Sequence, residues 1–455
     1  MVKQTLLGTI LTGCIGLTGI SQQYLLDDFV VNASGNTYTV VGKAADGLES
    51  PVDLDFNRLD MTELWVINMR TENIGGSTVT YRAVGTESQT AHKKVDGNAW
   101  HFMSLPTALA FGENGAWGST PGVYDANHRG GASAPFTGPS LWSSDFNIYA
   151  QDAGPGTNGS HLDMLHGSPY SMGMAWEQDN KYWLFDGYNG HIAMYDFAVD
   201  HGPGNSNHDD GRIRRYQEVQ VKRDGLIPSH MELDPARKWL YINDVGNARI
   251  LRMDITTGTS NGNSTVRPSE ILAENIDMRD VVFEVVANTG LVKPCGLDVN
   301  NDRLIVSDNG TNELIVYDIT KNNGTFPEIG RITLPFPDVM GVKLDKKGAI
   351  WFVDKTSKEV VRIDNEAAAV VSVEEVKQVV NLSVYPNPAN DFIKFSGNFA
   401  NDFEVQIFDM SGKQVIQQLV TVESKVSVSN LPAGVYTIRM EIDGEAPKTT
   451  RLIKQ

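Results

Sequence analysis

Histidine and aspartate side chains are the groups in this sequence best suited to metal binding or proton transfer. The segment Ser160-His-Leu-Asp-Met-Leu-His166 places two imidazoles around one carboxylate, and His191 and His230 each stand at the start of an apolar, strand-like run. Neutral imidazole together with carboxylate is a good ligand set for zinc, copper or iron. The metal-ligand candidates are therefore His161, Asp163, His166, His191 and His230.

A second histidine-bearing segment, Asp200-His-Gly-Pro-Gly-Asn-Ser-Asn-His-Asp-Asp-Gly211, has the Gly, Pro and Asn content of a tight loop. It follows a third strand of the repeat described below, so we expect it on the opposite face of the molecule. Its oxygen-bearing side chains favour calcium. The spacing of a standard calcium loop is missing, however, and a solvated loop explains the composition equally well. The candidates here are His201, His208 and Asp209.

The composition of the 455-residue chain argues against several functions. Asp and Glu outnumber Lys and Arg by 56 to 38, and a formal net charge of −18 disfavours binding of nucleic acid or an anionic membrane through a basic face. The sequence contains no phosphate-cradling glycine loop, no Gly-x-Ser-x-Gly elbow and no Cys-x-x-Cys pair. If Cys14 leaves with a signal segment, Cys295 stands alone and no internal disulfide forms.

The elements that must position these residues form a repeat of strand, turn, strand, Asp-containing turn and strand. Four copies are clear, and in each the second strand ends in Asp and another Asp follows ten residues later. The second strands end at Asp186, Asp244, Asp308 and Asp354. Two weaker copies begin at Pro51 and Pro106, which makes six, a number that closes a β-propeller. A seventh copy hidden in 255–292 is the alternative.

In a propeller, the first strand of each blade begins on the face where the second strand ends. His230 begins such a first strand, and the segment from Ser160 to His166 leads into the third copy from the same side. We therefore expect the five metal-ligand candidates and the four repeat aspartates to converge on one face. The alternative is that the aspartates have a structural role, because Asp in such turns usually accepts hydrogen bonds from backbone N–H groups and stabilises the turn.

The clear copies, above all Asp244-Val-Gly-Asn-Ala-Arg-Ile250, resemble NHL repeats. The resemblance covers about residues 40–365 and implies an all-β, six-bladed β-propeller with an insertion at 118–168, followed by a linker at 366–380. It implies little about function, since propellers host many unrelated activities. Peptidylglycine amidating lyases of this type hold zinc through Pro-His motifs, whereas this chain has Pro228-Ser-His230.

Three ordered motifs and a basic tail resemble the C-terminal sorting domain (type A) of the type IX secretion system of Bacteroidetes-type bacteria. They open with Leu382-Ser-Val-Tyr-Pro-Asn-Pro-Ala389, continue in 405–415 and 428–439, and end at Leu452-Ile-Lys-Gln455. The resemblance implies an Ig-like β-sandwich over 381–455 that engages the secretion machinery. The motif residues are Tyr385, Pro386, Asn387, Pro388, Gly412, Gly434 and Tyr436.

The N-terminal residues also indicate export. Met1-Val-Lys-Gln4 gives a short positive start, residues 5–20 are apolar and uncharged, and a cleavage point follows near Ser21, so residues 1–21 are predicted to be a signal peptide. An alternative is the lipoprotein-type box Leu11-Thr-Gly-Cys14, which would leave a lipidated cysteine at the N-terminus. The apolar run is too short and too rich in Gly for a membrane span.

Together these features predict a secreted or outer-surface propeller that binds an extracellular protein, glycan or small ligand at its His- and Asp-rich face. The alternative is a metal-dependent hydrolase or lyase with a His-coordinated metal in the central channel. The cofactor expected at such a site is a divalent metal, namely zinc, copper or calcium. The expected partners are the secretion machinery and the extracellular ligand, with no nucleic acid and no membrane span.

Overall fold

The computed structural model divides the chain into two compact units, Met1–Ser372 and Val373–Gln455, which are described separately. The expected signal peptide, its lipoprotein alternative and residues 367–380 of the expected linker lie outside the described residues. Within the described ranges, no helix is long and apolar enough to cross a membrane. The structure describes residues 25–128, 135–151, 158–205, 207–266, 268, 270–320, 324–366, 383–396, 403–409, 413–421, 424–442 and 448–455.

The first unit is a β-propeller of mainly antiparallel sheets, and its described residues include two short α-helices. In chain order its elements are α1 (Leu25–Val31), β1 (Asn36–Gly42), β2 (Pro51–Asn57), β3 (Asp60–Thr71), β4 (Gly75–Arg82), β5 (Thr90–Lys94), α2 (Ala99–Phe102), β6 (Pro106–Phe111), β7 (Ala116–Pro121), β8 (Ser140–Ser143), β9 (Asp163–Met164), β10 (Ser171–Gln178), β11 (Lys181–Asp186), β12 (His191–Asp196), β13 (Arg212–Gln220), β14 (Met231–Asp234), β15 (Trp239–Asp244), β16 (Arg249–Asp254), β17 (Thr259–Asn263), β18 (Glu274–Arg279), β19 (Phe283–Ala287), β20 (Pro294–Asn300), β21 (Arg303–Asp308), β22 (Glu313–Asp318), β23 (Glu328–Thr333), β24 (Val339–Leu344), β25 (Ile350–Asp354) and β26 (Glu359–Asn365). Short 3-10 helices lie at Ala33–Gly35, Ala44–Asp46 and Val245–Asn247.

These strands form six sheets in the described part of the first unit. Sheet 1 contains β2–β5, sheet 2 contains β6–β9, sheet 3 contains β10–β13 extended by β18 and β17, sheet 4 contains β14–β16 and β19, sheet 5 contains β20–β23, and sheet 6 contains β24–β26 and β1. The innermost strands β2, β6, β10, β14, β20 and β24 contact one another in that order, and β24 contacts β2. The sheets therefore close into a ring, as the repeat predicts.

Sheet 6 joins the two ends of the propeller. Its outermost strand β1 pairs antiparallel with β26, so that Asn36 lies opposite Asn365. The Asn365 side-chain amide donates to Asn36 Oδ1 at 2.7 Å and to the Asn32 carbonyl at 3.1 Å, and α1 packs against β22 and β23. The propeller therefore includes the N-terminal helix and begins earlier than the expected start near residue 40.

The middle strands are buried on both faces, because each sheet lies between two others. This explains why they appear in the sequence as continuous apolar runs rather than as alternating patterns. The fully buried ring of Trp117 on sheet 2 lies 5.5 Å from that of Trp65 on sheet 1 and 5.7 Å from that of Trp142 on its own sheet. Such aromatic packing contributes to the core of the unit. The described cysteine of this unit, Cys295, is buried and free.

Two expectations about the layout need correction. The described residues of 118–168 are not a separate insertion, because they include the end of β7 and supply β8 and β9, the two outer strands of sheet 2. The described residues of 255–292 do not form a seventh sheet: β17 and β18 add a hairpin to the edge of sheet 3, and β19 completes sheet 4. The sequence pattern does not indicate these strands because they are short or polar, and every residue of β17 is exposed.

The described residues of the second unit form two packed sheets, which confirms the expected Ig-like β-sandwich. Their inner faces bury alternate residues such as Phe403, Val405 and Ile407 of one strand. One sheet has the order β27-β28-β31 and the other β30-β29-β32-β33. The strands are β27 (Ser383–Tyr385), β28 (Phe392–Ser396), β29 (Phe403–Phe408), β30 (Gln414–Val420), β31 (Val426–Ser427), β32 (Gly434–Ile442) and β33 (Lys448–Lys454).

The predicted sorting-motif residues mostly lie at one edge of the second unit. The Asn387 amide donates to the Arg451 carbonyl at 2.7 Å, and Asn387 Oδ1 accepts the Ile453 N–H at 2.8 Å, so the motif is tied to β33. Tyr436 donates its hydroxyl to the Pro432 carbonyl at 2.9 Å. The remaining positions are the exposed Tyr385, Pro386 and Pro388, Gly434 at the start of β32, and Gly412, which lies outside the described residues.

Candidate functional site

Acidic side chains of the inner strands connect neighbouring sheets around the channel. Asp53 and Asp55 of β2 each accept a backbone N–H of β6 at 2.9 Å, and Asp298 of β20 accepts that of Leu344 on β24 at 2.7 Å. The second oxygen of each carboxylate accepts the N–H of the next residue. Burial raises the pKa of Asp53 well above its usual range. These carboxylates therefore hold the ring together.

A group of charged side chains, which we call the channel-mouth cluster, lies where the inner strands end. It comprises Asp55, Arg58, Glu232, Asp298 and Lys343. The Lys343 ammonium forms an ion pair with Glu232, and Arg58 lies 3.7 Å from the same carboxylate. Burial alone would lower the pKa of Lys343, but Glu232, Asp298 and Asp55 outweigh it and raise the pKa. Burial raises the pKa of Asp298 to about 7, against the opposing influence of Lys343.

The channel-mouth cluster lines a pocket of about 340 Å³ that receives residues from the strands of five sheets and, from sheet 2, Glu113 in the turn between β6 and β7. Its lining has six acidic and three basic residues, so its net charge is negative when all are ionised. Trp176 borders it, and the Arg58 guanidinium lies 4.9 Å from the centre of that ring. A larger pocket of about 840 Å³ opens between sheets 1 and 6, but it gathers side chains from one side of the ring only.

His230 fills the channel interior rather than presenting a free ligand atom. Its Nε2–H donates to the carbonyl of Thr107 on β6 at 3.0 Å, and its Nδ1 faces Asp53 Oδ1 at 3.4 Å. Burial lowers the pKa of His230 to about 3. The same burial raises the pKa of Asp53, so it disfavours the charged form of both groups. His230 thus bridges sheets 1, 2 and 4 across the channel.

A second group of side chains, which we call the His–Asp cluster, lies at the outer edge of sheet 2. It comprises Asp163, His201, His208 and Asp210. His208 Nδ1 lies 2.6 Å from Asp163 Oδ1, and His201 Nε2 lies 2.9 Å from Asp210 Oδ1. One ligand atom each from Asp163, His201 and Asp210 lies within 4.8 Å of the others. Asp163 is on β9, whereas the other three come from the loop between β12 and β13.

The electrostatics of the His–Asp cluster combine one buried carboxylate with a partly exposed pair. Burial raises the pKa of Asp163, although the hydrogen bond from His208 acts against it. The hydrogen bond with Asp210 raises the pKa of His201. Burial acts to raise the pKa of Asp210, but the hydrogen bond with His201 and that from the Val199 N–H lower it overall.

Two further candidates, His161 and His166, border the His–Asp cluster. His161 stacks on Phe102 with ring centroids 3.7 Å apart, and burial lowers its pKa to about 4. His166 Nδ1 lies 2.6 Å from Glu270 Oε2, and its ring lies 6.0 Å from that of His208. The Nε2 atom of His166 is buried and has no hydrogen-bond partner among the described residues.

The structure groups the candidates differently from the sequence prediction. His201 and His208 were expected on the opposite face from Asp163, but the loop that carries them folds against β9, so both sets meet in one cluster. Asp209 is exposed and does not belong to it. His230 was expected beside them, yet it immediately precedes the inner strand β14, whereas Asp163 lies on the outermost strand β9. The expected single convergence of five ligands is therefore wrong.

His191 and the repeat aspartates have structural surroundings. His191 is buried, and its Nε2 lies 3.5 Å from Arg215 Nη1 and 4.0 Å from Asp186 Oδ2. Burial lowers the pKa of His191. Asp186 also accepts two backbone N–H groups of its own turn and pairs with the fully buried Arg215 at 3.2 Å. Asp244, Asp308 and Asp354 likewise accept backbone N–H groups, as the structural alternative predicts.

Several residues of both clusters were not predicted as site residues. Lys343 and Glu232 sit in ordinary strand patterns, and only closure of the ring brings them together. Asp210 adjoins the predicted Asp209. An irregular loop has no regular alternation of inward and outward side chains, so the sequence does not indicate which of the two aspartates points inward. Glu270 belongs to the loop between β17 and β18, in the range 255–292 for which the sequence offered only the alternative of a seventh copy.

Comparison with protein families identifies the second unit. Residues 383–455 match the family described as the secretion system C-terminal sorting domain. These residues are a type IX sorting domain. The sorting domain directs the chain through the type IX secretion machinery to a secreted or outer-surface location. No curated protein matches the chain in sequence.

Several solved structures are similar to the propeller. An auxiliary nutrient binding protein from Bacteroides thetaiotaomicron VPI-5482 has 12% identity over 73% of this chain and 76% of its own, with a TM-score of 0.47. A luciferin-regenerating enzyme has 10% identity over 73% and 96%, with a TM-score of 0.43. A nidogen/laminin complex has 11% identity over 70% and 90%, with a TM-score of 0.40.

Proposed function

We propose that this chain is a secreted or outer-surface, six-bladed NHL-type propeller that binds a small, positively charged extracellular ligand at the channel mouth. The observation that carries the proposal is the convergence of ionisable residues from the strands and turns of all six sheets on one pocket. Largely buried charges with perturbed pKa values are typical of functional sites. The sorting domain accounts for the extracellular location.

The size of the pocket favours a small ligand over the protein and glycan alternatives. Its volume of about 340 Å³ is at the lower end of the range for small-molecule sites. Its acidic lining favours a cation, because an ammonium group is attracted by carboxylates. Glu232 is the group best placed to bind it, since its side chain is 13% exposed and already pairs with cations.

Isothermal titration of the full chain with a small alkyl diamine, a dicarboxylate of the same length and a neutral monosaccharide tests this proposal. We expect the diamine to bind best, and Glu232→Gln to weaken its binding about tenfold or more, because a hydrogen bond to a charged group is lost. Glu87→Gln, on an exposed turn of sheet 1, is the matched control. Tighter binding of the dicarboxylate, or unchanged binding by Glu232→Gln, would refute the proposal.

A further inference from the structure

We propose that Asp163, His201 and Asp210 bind a divalent first-row transition metal ion such as zinc. The site lies at the outer edge of sheet 2, where the loop between β12 and β13 meets β9. It is separate from the channel mouth, so a test of the metal site does not depend on the proposed ligand site there. It also differs from the ligand set expected from the sequence, in which neither His201 nor Asp210 accompanied Asp163.

The first argument is the convergence of the donor atoms. A carboxylate oxygen of Asp163, an imidazole nitrogen of His201 and a carboxylate oxygen of Asp210 lie within 4.8 Å of one another. A metal ion held by nitrogen and oxygen ligands needs about 2.0–2.2 Å to each donor. Donors this close can reach such an ion through rotation of partly exposed side chains, without movement of the strands. Among the described residues, no other group of histidine, cysteine and carboxylate ligands meets this condition.

The second argument is the state of the Asp163 carboxylate. Asp163 is fully buried, and its Oδ1 accepts hydrogen bonds from His208 Nδ1 and from the Met164 N–H, both at 2.6 Å. Its Oδ2 has no hydrogen-bond partner among the described residues. Leaving a buried carboxylate oxygen without a partner is costly, and proteins rarely tolerate it. A cation beside Asp163 Oδ2 would remove that cost.

The third argument is the support behind the ligands. A ligating carboxylate is normally held in orientation by another hydrogen bond, and His208 supplies one to Asp163. The loop that carries His201 is fixed to the chain ahead of β9, since the Gly204 N–H donates to the His161 carbonyl at 2.8 Å. His208 is therefore a positioning residue, and the loop of His201 is anchored close to Asp163.

The donor types indicate which metal fits. One imidazole with two carboxylates suits zinc and its neighbours, whereas calcium takes oxygen ligands only. Three protein ligands leave a coordination position open, as in zinc sites that hold water or a substrate. His201 and Asp210 are 17% and 30% exposed, so that position faces solvent.

Cobalt(II) is a suitable probe, because its visible absorption depends on the ligands that it binds. The purified full chain, freed of metal with a chelator, would be titrated with CoCl₂, and the bound metal counted by elemental analysis after dialysis. We expect one Co²⁺ per chain with an absorption band that zinc abolishes and calcium does not. His201→Gln, Asp210→Asn and Asp163→Asn should each weaken binding by about 100-fold, and His208→Ala by about tenfold.

Asp209→Asn is the matched control, because Asp209 is exposed and lies next to Asp210 in the same loop. It should bind Co²⁺ like the parent chain. Because Asp163 is buried, tryptophan fluorescence of each variant must show the parent fold, and the two loop variants keep the test valid if Asp163→Asn unfolds. No stoichiometric binding, or equal binding by the control and by both folded loop variants, would overturn the site.

Discussion

His230 makes the stability of the propeller dependent on pH. Its pKa is lowered to about 3 by burial, whereas an unfolded histidine titrates near 6.5. Below pH 6.5 the unfolded chain therefore binds a proton that the folded chain does not. The contribution of His230 to stability is fully present above pH 6.5 and is lost as the pH falls toward 3.

The magnitude follows from the two pKa values. Between pH 7 and pH 5 the loss from His230 is about 2 kcal/mol, and by pH 4 it reaches about 3 kcal/mol. The buried His101 and His161, whose pKa values are lowered to about 4, add losses of the same sign. The raised pKa of Asp53 acts in the opposite direction, since it favours the folded state at low pH. The effect of His230 must therefore be measured as the difference in pH dependence between the parent chain and a variant at this position.

Urea unfolding of the parent chain and of His230→Gln at pH 7, 6 and 5 measures the contribution of His230 to this pH dependence. Glutamine can still donate an N–H toward the Thr107 carbonyl but does not titrate. All eight tryptophans precede residue 372, so their fluorescence reports on the propeller alone. We expect the variant to be less stable at pH 7 but to lose about 2 kcal/mol less than the parent between pH 7 and pH 5.

The matched control is His92→Gln, because His92 is exposed on β5. It should keep the pH dependence of the parent chain. If His230→Gln instead loses as much stability as the parent between pH 7 and pH 5, the imidazole is not held neutral by burial, and the assignment of His230 as a structural bridge is wrong.

Three further predictions concern the packing of the propeller, each measured by urea unfolding at pH 7. Arg215→Met should lower the unfolding free energy by about 3–5 kcal/mol, because it leaves the buried Asp186 without its cation; a loss below 1 kcal/mol would contradict this. Trp117→Ala should cost about 3–5 kcal/mol through the cavity that it leaves, and a smaller loss would mean that sheets 1 and 2 repack. Asn365→Ala should cost about 1–3 kcal/mol at the closing contact with Asn36, and an unchanged midpoint would refute its role there.

The repeat made most of the fold predictable from sequence. Strands buried on both faces leave continuous apolar runs, and Asp at the end of each second strand marks the register of the clear copies. The strands that escaped prediction lie at the outer edge, where polar or short segments such as Thr259–Asn263 and Asp163–Met164 lack an apolar pattern.

The candidate sites were less predictable because they depend on contacts between distant segments. The sequence identified Asp163 and His201 as ligand candidates but placed them on opposite faces, since the path of the loop after β12 is not encoded in strand order. The channel-mouth cluster was missed altogether. Lys343 and Glu232 are 111 residues apart, and nothing local to either residue indicates an ion pair.

The pairing of β1 with β26 also constrains the order in which the molecule can assemble. Asn36 and Asn365 are 329 positions apart, so this contact closes a loop that spans nearly the whole propeller. Formation of such a contact is slow, because the entropy of the long loop must be lost before the contact is gained. Until β26 has emerged from the ribosome, β1 has an unpaired edge. A chain interrupted before residue 359 lacks both the strand that completes the ring and the sorting domain, so an incomplete propeller is also one without an export signal at its C-terminus.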